Sequence, residues 1–441
     1  METKRKRKTG IKGTRRILYM VCIGVALLGC SKNDGPATPD PSPMNQPEPD
    51  PEPENNPPAA FDLIGVTDGA IGVDVKPSFS WQAAADPDGD TVSYDLYLGI
   101  EADPATVFVA DLNTPSFEGS DRLQLLTEYF WKVVAKDGKG SETQSTTNSF
   151  TTRNLFIPNT PVTASADFSA RYIHATAVFD DKLWVIGGYD GIYKNDVWYS
   201  DDGVDWADAT PLIGFSVRSG HTTAVFDDKL WVIGGYDGTN LKNDIWYTSD
   251  GFNWVEVTPN SVTFSPRGGH TAAVFDNKLW VVGGGDSSGR KNDIWHSTDG
   301  INWTEATPAA PFVARDRHTT AVFDNKLWVI AGVSTYAPIN DVWYSGDGIT
   351  WAEATLAASF SARFHHTTAV FDDKLWVIGG DDNGFKNDVW YSGDGANWTQ
   401  ATPAAPFSGR LGHTTAVFDD KLWVIGGHDG SDEKNDVWTM D

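Results

Sequence analysis

One stretch of about fifty residues, written six times over, constrains this chain more than any other feature of it. In the second copy it runs from Arg218 to Pro259, and everything beyond about residue 154 is made of such copies. Aligned on the histidine of R-x-x-H, they place that residue at His174, His221, His270, His318, His366 and His413, so the period is 47 to 49 residues. A period near 50 predicts a β-propeller, not a helical solenoid.

Each copy reads as four short strands. H-T-T-A-V-F is a run of small and β-branched residues suited to a crowded innermost strand. An Asp-Asp or Asp-Asn turn links it to K-L-W-V-I-G-G, which makes a first hairpin. After a loop rich in Gly and Asp, N-D-V-W-Y-S pairs through a D-G turn with a strand opening at Trp206, Trp254, Trp303, Trp351 or Trp398. Four antiparallel strands form one blade. The 17 tryptophans of this region suit the wedges between blades, each burying roughly 150–250 Å².

These copies resemble the kelch family. The glycine pairs that carry the likeness are Gly187-Gly188, Gly234-Gly235, Gly283-Gly284, Gly379-Gly380 and Gly426-Gly427, each closing the second strand, and Ala331-Gly332 departs from the doublet in the fourth copy. The resemblance implies an all-β fold with a six-bladed kelch-type propeller over residues 154–441. S-x-D-G-x-x-W, as at Ser200 to Trp206, is similar to the Asp-box turn of sialidases, one residue short. That box is a structural hairpin, so it implies fold and not activity.

Ahead of the repeats, residues 59–153 hold short alternating runs: Ser78 to Trp81, Val92 to Leu98, Tyr129 to Ala135 and Ser149 to Thr152. They predict a small β-sandwich. Leu123, Thr127, Tyr129 and Trp131 stand as L-x-x-x-T-x-Y-x-W, which resembles the tyrosine corner of fibronectin type III domains. Asp86, Asp88 and Asp90 crowd three carboxylates into five residues, a possible calcium site or a tight solvated turn.

The chain opens with eight basic residues and an apolar run from Ile17 to Leu28, too short to span a bilayer and suited to a signal peptide over residues 1–29. It ends in Leu27-Leu28-Gly29-Cys30, which resembles the bacterial lipobox and implies lipidation of Cys30. The expected place is the bacterial outer membrane, held through the lipid anchor alone and facing the outside. Residues 30–58 are Pro, Asp, Glu and Asn with almost no apolar residue, a stiff spacer. Removing residues 1–29 leaves 26 basic against 59 acidic residues, a net charge of −33. Such a surface repels phosphate backbones and excludes nucleic-acid binding. Cys30 is then the one cysteine, so no disulfide is available within a chain.

The kelch resemblance puts the segment before each first strand and the loop after each glycine pair on one face. There Arg171, Arg218, Arg267, Arg315, Arg363 and Arg410 would either form a guanidinium ring for a carboxylate or sulfate, or pair with the aspartates of the repeated N-D: Asp196, Asp244, Asp293, Asp341, Asp388 and Asp436. Mutual repulsion of unpaired arginines favours the pairs. Copies this uniform give no asymmetric reaction centre, and no catalytic residue is assigned. A copper centre like that of galactose oxidase needs a cysteine, which the propeller lacks.

The copies differ in the loops of that same face, at Tyr172, Tyr189, Tyr193, Tyr236, Arg290, Asp316, Arg317, Tyr336, Phe364, His365, Phe385 and His428. Aromatics and charges on variable loops suit a glycan or protein ligand. A carbohydrate-active enzyme of epimerase or glycosidase type and a structural envelope component are the other readings. The opposite face, with its F-D-D-K turns, reads as serving solubility only. The sixth copy stops after its third strand, and Phe156 to Pro161 fit the W-x-x-x-T-P of Trp398 to Pro403. Residues 154–163 are therefore expected to supply the missing strand and close the ring.

Overall fold

The computed structural model describes residues 54–210, 214–257 and 263–441; the signal segment, Cys30 and most of the spacer lie outside them. Each copy of the repeat forms one antiparallel sheet. The second gives strands Thr222–Phe226, Lys229–Tyr236, Leu241–Thr248 and Val255–Glu256, paired in that order, and the sheets are numbered one to six after their copies. Sheet six has three strands, Thr414–Phe418, Lys421–His428 and Glu433–Met440. The innermost strands stand side by side, and that of sheet six lies against that of sheet one, so the sheets close on themselves.

Local chemistry explains the repeat. In sheet two Asp227 and Asp228 both adopt left-handed backbone, φ 51° and 55°, as a tight hairpin turn demands. The next strand is buried on both faces because neighbouring sheets press on it, hence the unbroken run Leu230 to Gly235. Its register slips between Ile233 and Gly235, making a bulge at the glycine pair. A Cβ on Gly235 would sit 2.8 Å from His221 Cβ, so a side chain there has no room. Ala331 in sheet four takes the bulge's left-handed conformation, φ 54°, with a Cβ in place.

Sheets are joined by glycine on tryptophan. The glycine of each S-x-D-G or T-x-D-G turn lies flat on an indole of the preceding sheet: Gly251 on Trp184, Gly300 on Trp231, Gly348 on Trp280, Gly395 on Trp328 and Gly203 on Trp423. Trp376 of sheet five has no such cover, because sheet six lacks its fourth strand and the turn before it. Closure there uses the chain ahead of the repeats. Phe156 and Asp441 exchange both backbone hydrogen bonds, at 2.7 and 3.0 Å, and Thr163 and Val437 do the same at 3.2 and 2.8 Å. The segment expected to complete sheet six is thus paired with it, at two points and not as a continuous strand.

The folded unit begins at Asn55, a few residues before the expected 59, since Asn55 donates to Asp137 and Pro58 accepts from Thr143. Its first part is a six-stranded sheet and a two-stranded one that share a core of Phe79, Trp81, Tyr94, Trp131 and Phe150. Besides the four runs expected, Ala70–Val73, Val107–Leu112, Ser116–Glu118 and Glu142–Gln144 are strands. The Tyr129 hydroxyl accepts the Gln124 backbone N–H at 3.2 Å, pinning the turn before its strand.

That turn corrects one expectation. Arg122 Nη1 reaches both oxygens of Asp372 at 2.6 and 2.7 Å, the Leu125 N–H donates to the same carboxylate, and Lys374 Nζ donates to the Leu125 carbonyl. Val75 and Leu125 join the buried cluster of Phe371 and Trp376. The fifth F-D-D-K turn is therefore a docking surface for the N-terminal domain and does more than keep the face soluble. Trp376 is the one of these indoles with no glycine turn on it among the described residues, and the N-terminal domain packs into its cluster.

Candidate functional site

The six arginines are fully buried, and their charges are spent inside the sheets. Arg171 donates all five N–H groups: Nε to Ser169 O, Nη1 to Gly187 O and Asp196, Nη2 to Ser169 Oγ and Asp196. Arg218, Arg267, Arg363 and Arg410 repeat the set with Asp244, Asp293, Asp388 and Asp436. Arg315 holds Asp341 but finds Val313 where the others find serine. Nη1 always takes the carbonyl of the first residue of the glycine pair, which the bulge leaves unpaired. Burial would raise the carboxyl of Asp196, Asp244 or Asp293, yet the guanidinium holds each below its usual range. These groups have nothing left for a ligand.

Inside them stand six histidines around a central cavity. Burial and the adjacent arginine push His174, His270, His318 and His413 down to about 3, and His221 and His366 well below the usual value, so all are neutral at physiological pH. Four bind a threonine hydroxyl of the neighbouring sheet, as Thr414 with His174 at 2.9 Å. Nε2 of His221 and of His270 has no such partner. The first copy has alanine after the histidine where the other five have threonine, so Ala175 stands where His221 would need a threonine.

The residue before each histidine is left-handed in every sheet: Ile173, Gly220, Gly269, Arg317, His365 and Gly412. Each donates its N–H to the carbonyl of its counterpart one sheet earlier, at 2.7–3.1 Å, and the sixth bond returns to the first residue. Three of the six carry a side chain at a backbone angle that disfavours one, Ile173 most of all. The absence of side chains at Gly220 and Gly269 opens a hollow of 340 Å³ over sheets two and three, walled by Tyr236, Leu241, Asp286, Asp316, Arg317 and His365. It continues outward into a second hollow of 440 Å³ past Tyr236, Leu241 and Asp286.

The face around this opening is divided. Over sheets five, six, one and two runs an arc of aromatic rings with centroid steps of 5.7, 5.4, 5.8, 4.9 and 5.5 Å: Phe385, His428, Tyr172, Tyr189, Tyr193 and Tyr236. Over sheets three and four the groups are charged. Arg290 pairs with Asp316 at 3.0 Å, and Asp286, which burial would raise, is held well below the usual range by Ser288, Lys291 and Ser265. Arg317 has no ion pair among the described residues; its guanidinium lies 5.8 Å over the Phe364 ring, and its charge bears on the half-buried imidazole of His365.

The variable residues thus divide into two groups. Asp316, Arg317, His365 and Tyr236 line the hollow, with Arg290 and Phe364 behind them, and the remaining aromatics form the arc. Tyr336 belongs to neither, standing 94% exposed at a loop tip. Sequence reading missed Ser219, Leu241, Asp286 and the glycines beneath them, although S-G-H and G-G-H in copies two and three marked the place where the ring loses side chains. In the N-terminal domain Asp86, Asp88 and Asp90 do converge, with ligand atoms within 4.8 Å of one another. Asp86 Oδ1 also holds the turn by accepting from the Asp88 and Asp90 backbones, and Lys139 pairs with Asp90. The buried, unpartnered Oδ2 atoms of Asp86 and Asp90 fit a hard cation such as calcium.

A closed ring of antiparallel sheets around a polar axial cavity, with a bulge and a buried arginine in every repeat, defines a propeller. Residues 133–310 and 253–403 match the KLHDC2/KLHL20/DRC7 Kelch-repeats domain, and residues 409–441 match the Kelch motif. The chain belongs to the kelch-repeat family. The solved structure of YjhT is similar, with a TM-score of 0.51 at 16% identity over 63% of this chain and 96% of YjhT, a likeness of fold alone. No curated protein matches the chain in sequence.

Proposed function

We propose that the chain is a surface-anchored bacterial lipoprotein in which a spacer and a fibronectin type III-like domain carry a six-bladed kelch-type propeller, and that the propeller binds a glycan or a protein on its variable-loop face. The observation that carries this reading is the hollow over Gly220 and Gly269. Two adjacent ring positions lack side chains there, and an aromatic ring, ion-paired carboxylates and the guanidinium of Arg317 gather over them. Concave sites with a few convergent polar groups are where ligands bind.

Catalysis has less support. Asp286 and Asp316 are both engaged in ion pairs; Asp286 is held well below the usual carboxylate range and His365 is pushed down to about 3 by burial, so neither of these two is poised to exchange a proton near neutral pH. The test is a glycan and surface-protein array probed with the wild type, Arg317→Ala, Tyr236→Ala and a control altered at Asp276 on the other face. Loss of signal in the first two variants alone is expected. Equal binding by all four proteins would place function elsewhere. The anchor is tested separately: Cys30→Ser should release the protein from membranes.

A further inference from the structure

The proposed binding face has a property that its individual loops do not reveal, and the inference drawn from it rests on that reading of the face. The arc from Phe385 through His428, Tyr172, Tyr189 and Tyr193 to Tyr236 crosses four sheets without a break and ends at the wall of the hollow. Its rings are partly exposed. No single blade needs such a chain for its own core, which lies on the other side of the glycine bulge.

Charge around the arc is cancelled locally. Lys194 pairs with Asp190 at 2.8 Å, Lys242 with Asp237 at 2.6 Å, Lys386 with Asp382 at 3.0 Å and Lys434 with Asp429 at 2.7 Å. Glu433 adds a negative charge that bears on the Tyr172 hydroxyl, and the protein as a whole is strongly acidic. An acidic ligand would meet repulsion there, and a cationic one would find no unpaired carboxylate array among the described residues to hold it. What remains is the stacking of weakly polar C–H faces on aromatic rings.

We infer that the arc is the binding track of an extended, uncharged oligosaccharide, whose chain follows the rim from sheet five to sheet two and whose terminal unit enters the hollow over Gly220 and Gly269. One sugar ring per aromatic step makes the track about five units long. Affinity therefore depends on chain length more than on any one sugar's substituents.

The experiment measures affinity by calorimetry for mono- to hexasaccharides of glucose, mannose and galactose, with the uronic acid counterparts as acidic probes. The proteins are the wild type, Phe385→Ala and Tyr189→Ala on the arc, and Arg317→Ala in the hollow, each checked for an unchanged unfolding temperature. Affinity for one neutral series should rise with length, and each arc variant should lose about tenfold on the long members with little change on the monosaccharide. If a short or acidic sugar binds best and only Arg317→Ala matters, the track is wrong while the proposed binding face stands. If no saccharide binds while a protein ligand is captured by this face, the track is wrong again. If neither binds, the proposed face fails with it.

Discussion

Arg122 in the N-terminal domain grips Asp372 in the fifth sheet through one nitrogen shared by two oxygens, and its guanidinium lies 4.9 Å over the Phe371 ring. The pair spans 250 residues of sequence and sits at the one seam where the repeat is incomplete. It ties the stability of the propeller to the N-terminal domain. Leu125→Asp should therefore loosen the closing strand: hydrogen exchange at Glu433–Met440 should speed up while Lys278–Asp286, far round the ring, stays protected. A double-mutant cycle on Arg122→Ala and Asp372→Ala should return a coupling of about 1.5–3 kcal/mol, the range for a charged hydrogen bond. Unchanged exchange with a zero coupling would make the contact incidental.

Arg267 is buried, with its five donors satisfied by Asp293, Gly283 and Ser265. Arg267→Ala leaves a carboxylate and a bulge carbonyl without partners, and should destabilise the protein by about 3–5 kcal/mol in denaturant titration. Because the arginine serves the scaffold, ligand affinity of the surviving folded protein should not change.

Acid should unfold this protein from an unusually high pH. The six channel histidines are neutral when folded, with values of about 3 or well below normal, whereas an unfolded histidine takes its proton near 6.5. Above pH 6.5 they contribute no dependence. As the pH falls from 6.5 toward 3 the unfolded state alone is protonated, and stability drops by about 1.4 kcal/mol per pH unit for each histidine. Calorimetry at pH 5 should find close to six extra protons bound by these histidines on unfolding and a seventh by His365, and one fewer in His221→Gln.

At Ala331 the fourth sheet departs from the repeat, and the structure assigns it a cost. Its φ of 54° is one that glycine adopts freely and alanine does not. Ala331→Gly should raise stability by about 0.5–1 kcal/mol, offset slightly by the greater freedom of glycine when unfolded. The reverse change, Gly283→Ala in sheet three, should lower it, since a Cβ there comes within 3.1 Å of the Arg315 carbonyl and of His318 Cε1.

The repeat made the strands, their order and the arginine–aspartate pairs legible, because each is demanded locally and six times over. The match of Phe156 to Trp398 led to the right segment but the wrong register: Thr163, not Thr160, pairs with Val437 as Thr402 pairs with Val389, and Phe156 stays exposed where Trp398 is buried. The packing of Leu125 into the cluster of Phe371 and Trp376 was not legible: nothing at these positions differs from an ordinary turn and an ordinary strand. The hollow was half legible. Arg317 and Tyr236 announce themselves as odd side chains, while Gly220 and Gly269 act by having none, and absence at a position shared by three copies looks like part of the scaffold.

The bonds linking Ile173, Gly220, Gly269, Arg317, His365 and Gly412 all run in one rotational sense and have no first or last member. A circuit of this kind counts. Deleting or duplicating one copy of the repeat in the gene would leave a curvature that no longer meets itself, with a donor and an acceptor stranded at the gap. Point changes on the loops can accumulate one by one, but the number of copies can change only in a jump that breaks the circuit. The loops of this protein are therefore free to change one at a time while the number of its sheets stays fixed.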